Sequence, residues 1–180
     1  MAVNIPARLV KACQKDAERL SWLNRLPEVL CDLQQRWSLT FEDAFEGAEG
    51  SCAWVAGVTL PDRAAAVLKL GMPHMEGEHE IEGLRFWSGD PTVQLLNADD
   101  RLGAMLLERC EPGTALREAP ESEQDIVIAG LLRRLWRPPS IPHVFRPLSA
   151  MTAYWCTEAL EQTEHWPDAG LISEGLVLFK

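Results

Sequence analysis

Lys69 ends an apolar, strand-like run, A-A-A-V-L-K-L-G at 64–71, and the glutamate-rich segment M-E-G-E-H-E-I-E-G-L-R-F-W at 75–87 follows it almost at once. A lysine that is oriented by a neighbouring carboxylate can direct its ammonium group at phosphate oxygens. A lysine at the end of a strand can equally be a solvated surface residue. The residues therefore allow two interpretations, a phosphate-binding lysine paired with a helical glutamate and a lysine with no role beyond solubility.

The same acidic segment contains side chains of the types that bind metal ions, namely His74, Glu76, His79 and Glu80. In the zinc-binding motif H-E-x-x-H, the two histidines lie on one face of a helix. His74 and His79 are five positions apart and do not share a helical face. The spacing therefore disfavours a metal centre here.

The composition is that of a globular chain and limits the classes of partner. Of 180 residues, 47% are hydrophobic and 24% are charged, with a formal net charge of −10. Because this charge repels nucleic acid and anionic membranes, we expect neither as a partner, whereas a cationic small molecule would be favoured. No apolar run approaches the ~20 residues of a membrane span, and no signal peptide opens the chain.

The cysteines indicate a cytoplasmic protein. They are odd in number, widely spaced and without a C-x-x-C motif, so we expect reduced thiols that act mostly as small buried apolar groups. They are Cys13, Cys31, Cys52, Cys110 and Cys156.

Hydrophobic periodicity predicts an α+β fold. Two helices are expected at the start, the first with Leu9, Cys13, Ala17 and Leu20 on one stripe, and the second beginning at Pro27. Three strands should follow between residues 38 and 70, then a helix over 76–88 with Ile81 and Leu84 facing inward, then two strands within 92–109. Since only one helix separates the strands, we expect an antiparallel meander with one inserted helix instead of a parallel sheet.

The chain turns helical after Gly113. Ile126, Ala129, Leu132 and Leu135 form one stripe, and a proline-rich connector occupies 137–147. Ser149 is expected to cap the next helix. A last helix carries Ile172, Leu176 and Phe179 at helical spacing and reaches the final residue in mid-pattern, so we expect the chain to be truncated.

Five segments in order resemble one enzyme family. They are G-A-E-G-S-C-A-W-V-A-G-V, A-A-A-V-L-K, E-I-E-G-L-R-F-W-S-G, V-Q-L-L and G-A-M-L-L-E-R-C-E-P-G. They resemble the amino-terminal lobe of the aminoglycoside/hydroxyurea resistance kinases, especially the streptomycin 6-phosphotransferase branch. The resemblance extends from about Trp37 to Gly113 and continues weakly through L-L-R-R-L and F-R-P-L. It implies a protein-kinase-like fold and ATP-dependent phosphorylation of a small-molecule hydroxyl group, with Mg²⁺.

The resemblance implies a role for each matching residue. Lys69 would contact the α- and β-phosphates of ATP, and Glu80, instead of its neighbour Glu82, would be its ion-pair partner. The turn that contains Gly47, Gly50 and Ser51 would cover the phosphates, although it has fewer glycines than the protein-kinase loop, and Glu49 adds a negative charge. The linker would bind the adenine edge through the Glu108 carbonyl and the Cys110 N–H.

The resemblance also implies a division of the chain. Residues 1–36 would be a helical extension, 37–107 the amino-terminal lobe, 108–113 the hinge linker and 114–180 a partial helical lobe that lacks the catalytic loop. The family's catalytic H-G-D-x-x-x-x-N and I-D-P-type segments do not occur in this sequence. We therefore expect the chain alone to be inactive, with the Mg²⁺ ligands beyond it.

Three alternatives remain open at this stage, one of which is an α+β domain unrelated to the kinases, which unchanged nucleotide affinity in a folded Lys69→Ala variant would favour. The chain could be part of a longer resistance enzyme acting on an aminoglycoside such as streptomycin, or on hydroxyurea. It could instead be a non-catalytic protein that keeps the lobe for nucleotide binding or association, including a homo-oligomer formed through its helical part.

Overall fold

The structure is a computed structural model that describes residues 4–14, 16–45, 52–161 and 169–177. Contacts divide the chain into two compact units, 1–141 and 142–180. The elements of the first unit are α1 (Ala7–Cys13), α2 (Ala17–Arg36), β1 (Thr40–Ala44), β2 (Ala53–Thr59), β3 (Ala65–Gly71), α3 (Glu80–Trp87), β4 (Leu95–Asp99), β5 (Ala104–Glu108) and α4 (Glu121–Leu135). The second unit contains α5 (Leu148–Glu161) and α6 (Ala169–Val177). No helix among the described residues is both long and apolar enough to cross a membrane.

The five strands form one antiparallel sheet in the order β1-β2-β3-β5-β4. The predicted sequence of elements is therefore confirmed, but the sheet is not a simple meander throughout. After the crossover through α3, the chain places β4 at the edge, and β5 returns to fill the position beside β3. Lys69 consequently lies on a central strand, paired with Val55 of β2 and Met105 of β5.

The two amino-terminal helices pack on one face of the sheet and bury the larger core. Leu26, Leu30 and Leu33 of α2 are essentially inaccessible, as are Leu68 and Leu70 of β3, and all five belong to one cluster. Because side chains alternate along a strand, Lys69 points to the opposite face from Leu68 and Leu70. The larger core thus occupies one face and leaves the other for α3.

The predicted boundary between the first two helices was wrong. Helix α1 ends at Cys13, α2 begins at Ala17 after its cap Asp16, and α2 continues through Pro27, which is exposed. Leu20, expected on the inward stripe, is 41% exposed. An interior proline costs a helix about 3 kcal/mol, but the buried stripe of Leu23, Leu26 and Leu30 continues across it, so packing outweighs that cost.

Asp16 begins α2 because its side chain caps the helix. Its Oδ1 accepts hydrogen bonds from the backbone N–H groups of Glu18 (2.8 Å) and Arg19 (2.9 Å). Asp16→Ala should lower the free energy of unfolding by about 1 kcal/mol, because two N–H groups lose their acceptor. Urea denaturation followed by circular dichroism measures this change. Asp16→Ser keeps a capping oxygen and should remain close to the unchanged protein; an equal loss in both variants would contradict the assignment.

Two further expectations need correction. Helix α5 begins at Leu148, so Ser149 lies inside its first turn and is not the cap. Along the predicted α4 stripe, Ile126 is 74% exposed and Leu132 43%. Of the five cysteines, all free thiols, only Cys13 is buried; desolvation raises the pKa of its thiol. Phe179, assigned to the last apolar stripe, lies outside the described residues.

Candidate nucleotide-binding site

Helix α3 lies on the face of the sheet to which Lys69 points. Ile81 and Leu84 are buried in a second cluster with Met105 and Leu107 of β5, and Val67 of β3 packs against this cluster. The inward positions predicted for Ile81 and Leu84 are therefore confirmed. Packing of these two side chains on β5 brings the first residue of α3, Glu80, over the neighbouring strand β3.

Lys69 and Glu80 form an ion pair, with Lys69 Nζ donating to Glu80 Oε1. The two side chains are 27% and 32% exposed, so the pair is half-buried and reachable from solvent. Glu82, the alternative partner considered from the sequence, is not in this contact. The sheet fixes the lysine backbone and α3 fixes the carboxylate, so the ammonium group of a flexible side chain is held in one position.

Helix α3 is held near its carboxyl end by charged and polar side chains. Arg85, in its last turn, binds Asp100 of the β4–β5 turn through two hydrogen bonds of 2.6 and 2.8 Å. Trp87, its last residue, donates through Nε1 to the Leu135 carbonyl at 3.2 Å, and Asp90, just beyond the helix, pairs with Arg134 of α4. These contacts restrict movement of the helix that carries Glu80 at its first position.

Arg85 also perturbs its partner, because its hydrogen bonds hold the pKa of Asp100 below its ordinary value. A carboxyl whose pKa is lower in the folded state contributes stability above its unfolded pKa and loses that contribution as the pH falls through the folded pKa.

Arg85→Ala removes the hydrogen bonds that lower the pKa of Asp100. It should raise this pKa towards its ordinary value, as measured by NMR titration of the side-chain carboxyl. Arg133→Ala, at an exposed position on α4, is the control and should leave the Asp100 titration unchanged. A titration that Arg85→Ala does not move would contradict the pairing.

The linker residues lie at the other end of the same sheet. Glu108 is the last residue of β5, and its N–H donates to the Gln94 carbonyl at 3.0 Å. Glu108 and Cys110 line a cavity of about 570 Å³ together with Ala65, Arg109 and Glu111. Residues 46–51 lie outside the described residues, and so do Gly47, Gly50 and Ser51 of the predicted phosphate loop.

The structure brings together a further ion pair that the sequence analysis did not single out, between Glu42 of β1 and Arg109 of the linker. The two residues are 67 positions apart, so no local pattern indicates the contact. The nearest signal is Gly57, a glycine in the middle of a strand, which often marks a close approach of another group. Within the described residues, no three His, Cys, Asp or Glu side chains are grouped to hold a metal ion.

Comparison with known proteins matches this arrangement to one family. The model of the aminoglycoside/hydroxyurea antibiotic resistance kinases matches residues 36–174. The chain belongs to this family. Its α+β architecture, with a five-stranded antiparallel sheet and an inserted helix, agrees with the kinase-like fold that the sequence predicted. No solved structure matches the chain.

Three curated relatives of this family member carry kinase or phosphotransferase names. Streptomycin 6-kinase of Streptomyces glaucescens is 39% identical over 119 residues, 66% of this chain and 38% of the relative. Streptomycin 6-kinase of Streptomyces griseus is 32% identical over 143 residues, 78% of this chain and 46% of the relative. Hydroxyurea phosphotransferase of Kitasatospora aureofaciens is 35% identical over 138 residues, 74% of this chain and 40% of the relative. The chain thus spans less than half the length of each relative.

Proposed function

We propose that this chain forms the ATP-binding part of a phosphotransferase that phosphorylates a hydroxyl group of a small molecule. The observation that carries the proposal is the Lys69–Glu80 ion pair on the face of the sheet that carries α3. In phosphotransferases of the kinase fold, such a pair holds the lysine against the α- and β-phosphates. The kinase and phosphotransferase names of the relatives support the same chemistry.

We propose that the nucleotide lies along this face of the sheet. Lys69 would bind the phosphates, while the Glu108 carbonyl and Cys110 N–H would hydrogen-bond the adenine edge in the cavity at the linker. Gly47, Gly50 and Ser51, which lie outside the described residues, are proposed as further phosphate contacts on the strength of the family resemblance alone. ATP supplies the transferable phosphoryl group, whereas the roles of this chain are to bind and orient it.

The residues present do not fit Mg²⁺. The described part of the chain brings no set of metal ligands together, and the sequence contains neither H-G-D-x-x-x-x-N nor an I-D-P-type segment. Phosphoryl transfer needs a base for the acceptor hydroxyl and a metal between the phosphates. We therefore propose that the 180-residue chain binds nucleotide but does not transfer phosphate by itself.

We propose an aminoglycoside such as streptomycin as the acceptor, because two of the relatives are named for streptomycin. The net charge of −10 would attract a polycationic sugar. Hydroxyurea is the second acceptor to test, since the third relative is named for it. A cytoplasmic location suits the free thiols.

Incubation with γ-labelled ATP, Mg²⁺ and either acceptor tests the lack of activity. We expect no labelled product above the level given by heat-inactivated chain, together with ATP binding that equilibrium dialysis detects. Transfer to either acceptor would overturn the proposed inactivity. Absence of ATP binding would overturn the nucleotide-binding role.

A second candidate is a non-catalytic protein that uses the fold for association. The apolar residues exposed on α4 favour it, and they are Ile126, Val127, Ile128 and Leu132. Sedimentation equilibrium separates the candidates, because self-association through the exposed apolar residues of α4 should be lost in Ile126→Glu. A monomer at all concentrations would count against a homo-oligomer.

A further inference from the structure

The Glu42–Arg109 ion pair spans two of the five strands of the sheet. Arg109 Nη1 lies 3.0 Å from Glu42 Oε1 and 2.9 Å from Glu42 Oε2. Glu42 belongs to β1 at one edge, whereas Arg109 follows β5, so β2 and β3 lie between them. Both side chains are only partly exposed, 41% for Glu42 and 33% for Arg109.

The register of the strands places this ion pair on the same face as Lys69. Val55 pairs with Lys69, and Gly57 pairs with Val67, two residues before Lys69 on β3. Since paired and alternate residues share a face, Gly57 belongs to the face of Lys69. A Cβ added to Gly57 would overlap Glu42 Oε2 and lie 3.3 Å from Arg109 Nη1. The ion pair therefore occupies the space that a side chain on β2 would fill.

Arg109 also borders the cavity at the linker, which is lined by Ala65 and by residues 108–111. If the proposed function holds, this cavity receives the adenine base. A guanidinium group is planar, keeps its charge and stacks on aromatic rings. Glu42 accepts from Arg109 Nη1 through both carboxylate oxygens, so it holds this end of the guanidinium group and balances its charge.

We propose that Arg109 is a base-binding residue whose guanidinium plane packs on the purine ring. Glu42 is its positioning residue, and the missing side chain of Gly57 makes the arrangement possible. Lys69 and Arg109 then bind different parts of the nucleotide, Lys69 the phosphates and Arg109 the base. The division predicts that the two residues respond differently to ligands with and without a base.

The test measures the affinity of the full 180-residue chain for ATP and for inorganic tripolyphosphate by isothermal titration calorimetry. Arg109→Ala should weaken ATP binding about 3- to 10-fold, the size of a cation–π contact, and leave tripolyphosphate binding unchanged. Arg109→Lys keeps the charge but not the plane and should not restore affinity. Gly57→Ala removes no charge yet displaces the Glu42 carboxylate, so it should reproduce the Arg109→Ala pattern.

Gly130→Ala is the matched control, because nothing lies within 4 Å of the added Cβ and the site is remote in sequence on α4. Equal weakening of both ligands by Arg109→Ala, or no weakening of either, would overturn the role in base binding. Lys69→Ala tests the proposed function separately, because it should weaken tripolyphosphate as well as ATP. A chain that binds neither ligand would overturn both proposals.

Discussion

Lys69→Ala is expected to weaken the binding of ATP by about 10- to 100-fold. A hydrogen bond to a charged group contributes about 1.5–3 kcal/mol, and about 1.4 kcal/mol corresponds to a tenfold change in affinity. The lysine is on a central strand and is held by Glu80. Because β3 is paired on both sides, no other residue of β3 can bring a side chain to the position of Lys69 without a shift in strand register. Equilibrium dialysis with labelled ATP measures the change.

Two glutamates on α3 supply the matched pair of controls. Glu80→Gln removes the carboxylate that orients the lysine, and we expect a smaller loss, about 3- to 10-fold, because the ammonium group is retained. Glu82→Gln makes the same chemical change two residues away and should leave affinity unchanged. If the two glutamine variants were alike, or if Lys69→Ala kept full affinity in a folded chain, the phosphate role of the pair would be wrong.

Trp54→Ala should lower the free energy of unfolding by about 3–5 kcal/mol, the range measured for buried aromatic residues. The Trp54 ring is 2% exposed, lies 5.9 Å from the Phe41 ring and donates through Nε1 to the Asn4 carbonyl at 3.0 Å. Removing it leaves a cavity and takes away the hydrogen bond to the Asn4 carbonyl. Because typical domains are stable by about 5–15 kcal/mol, this single change should remove much of the total.

Urea denaturation followed by circular dichroism measures the loss, and Trp136→Ala provides the comparison. Trp136 is 77% exposed, so its replacement should change the free energy of unfolding by less than about 0.5 kcal/mol. Similar shifts in both variants would show that the core is not where the structure places it. Trp54 pairs with Leu70, one residue beyond Lys69. Destabilisation should consequently also reduce the fraction of chain competent to bind ATP.

Local pattern was sufficient to predict the order of the elements. Alternating apolar residues mark the strands, and Ile81 and Leu84 mark the inward face of α3, because these signals depend on neighbours a few positions apart. The error at Pro27 has an identifiable source. Proline is a common first residue of helices, but here the helix begins earlier, because Asp16 caps it and the buried leucines on both sides of Pro27 stabilise it by packing.

The candidate site was predictable only in part. Lys69 and Glu80 were found because they lie close in sequence and within recognisable family segments. Glu42 and Arg109 were not, because their contact depends on the order of four strands and on the absence of a side chain at Gly57. The strand order was predicted as a simple meander, which was wrong for the last two strands, because no pattern in β4 or β5 indicates which of them lies beside β3.

The segment that matches the family is shorter than the segment that forms the hydrophobic core. The match begins at residue 36, just where α2 ends. A fragment of the matched residues alone would lack α1 and most of α2. Leu68 and Leu70, which pack against the leucines of α2, would then be exposed to water. We expect such a fragment to precipitate, so a soluble minimal version has to retain the first 35 residues even though they lie outside the match.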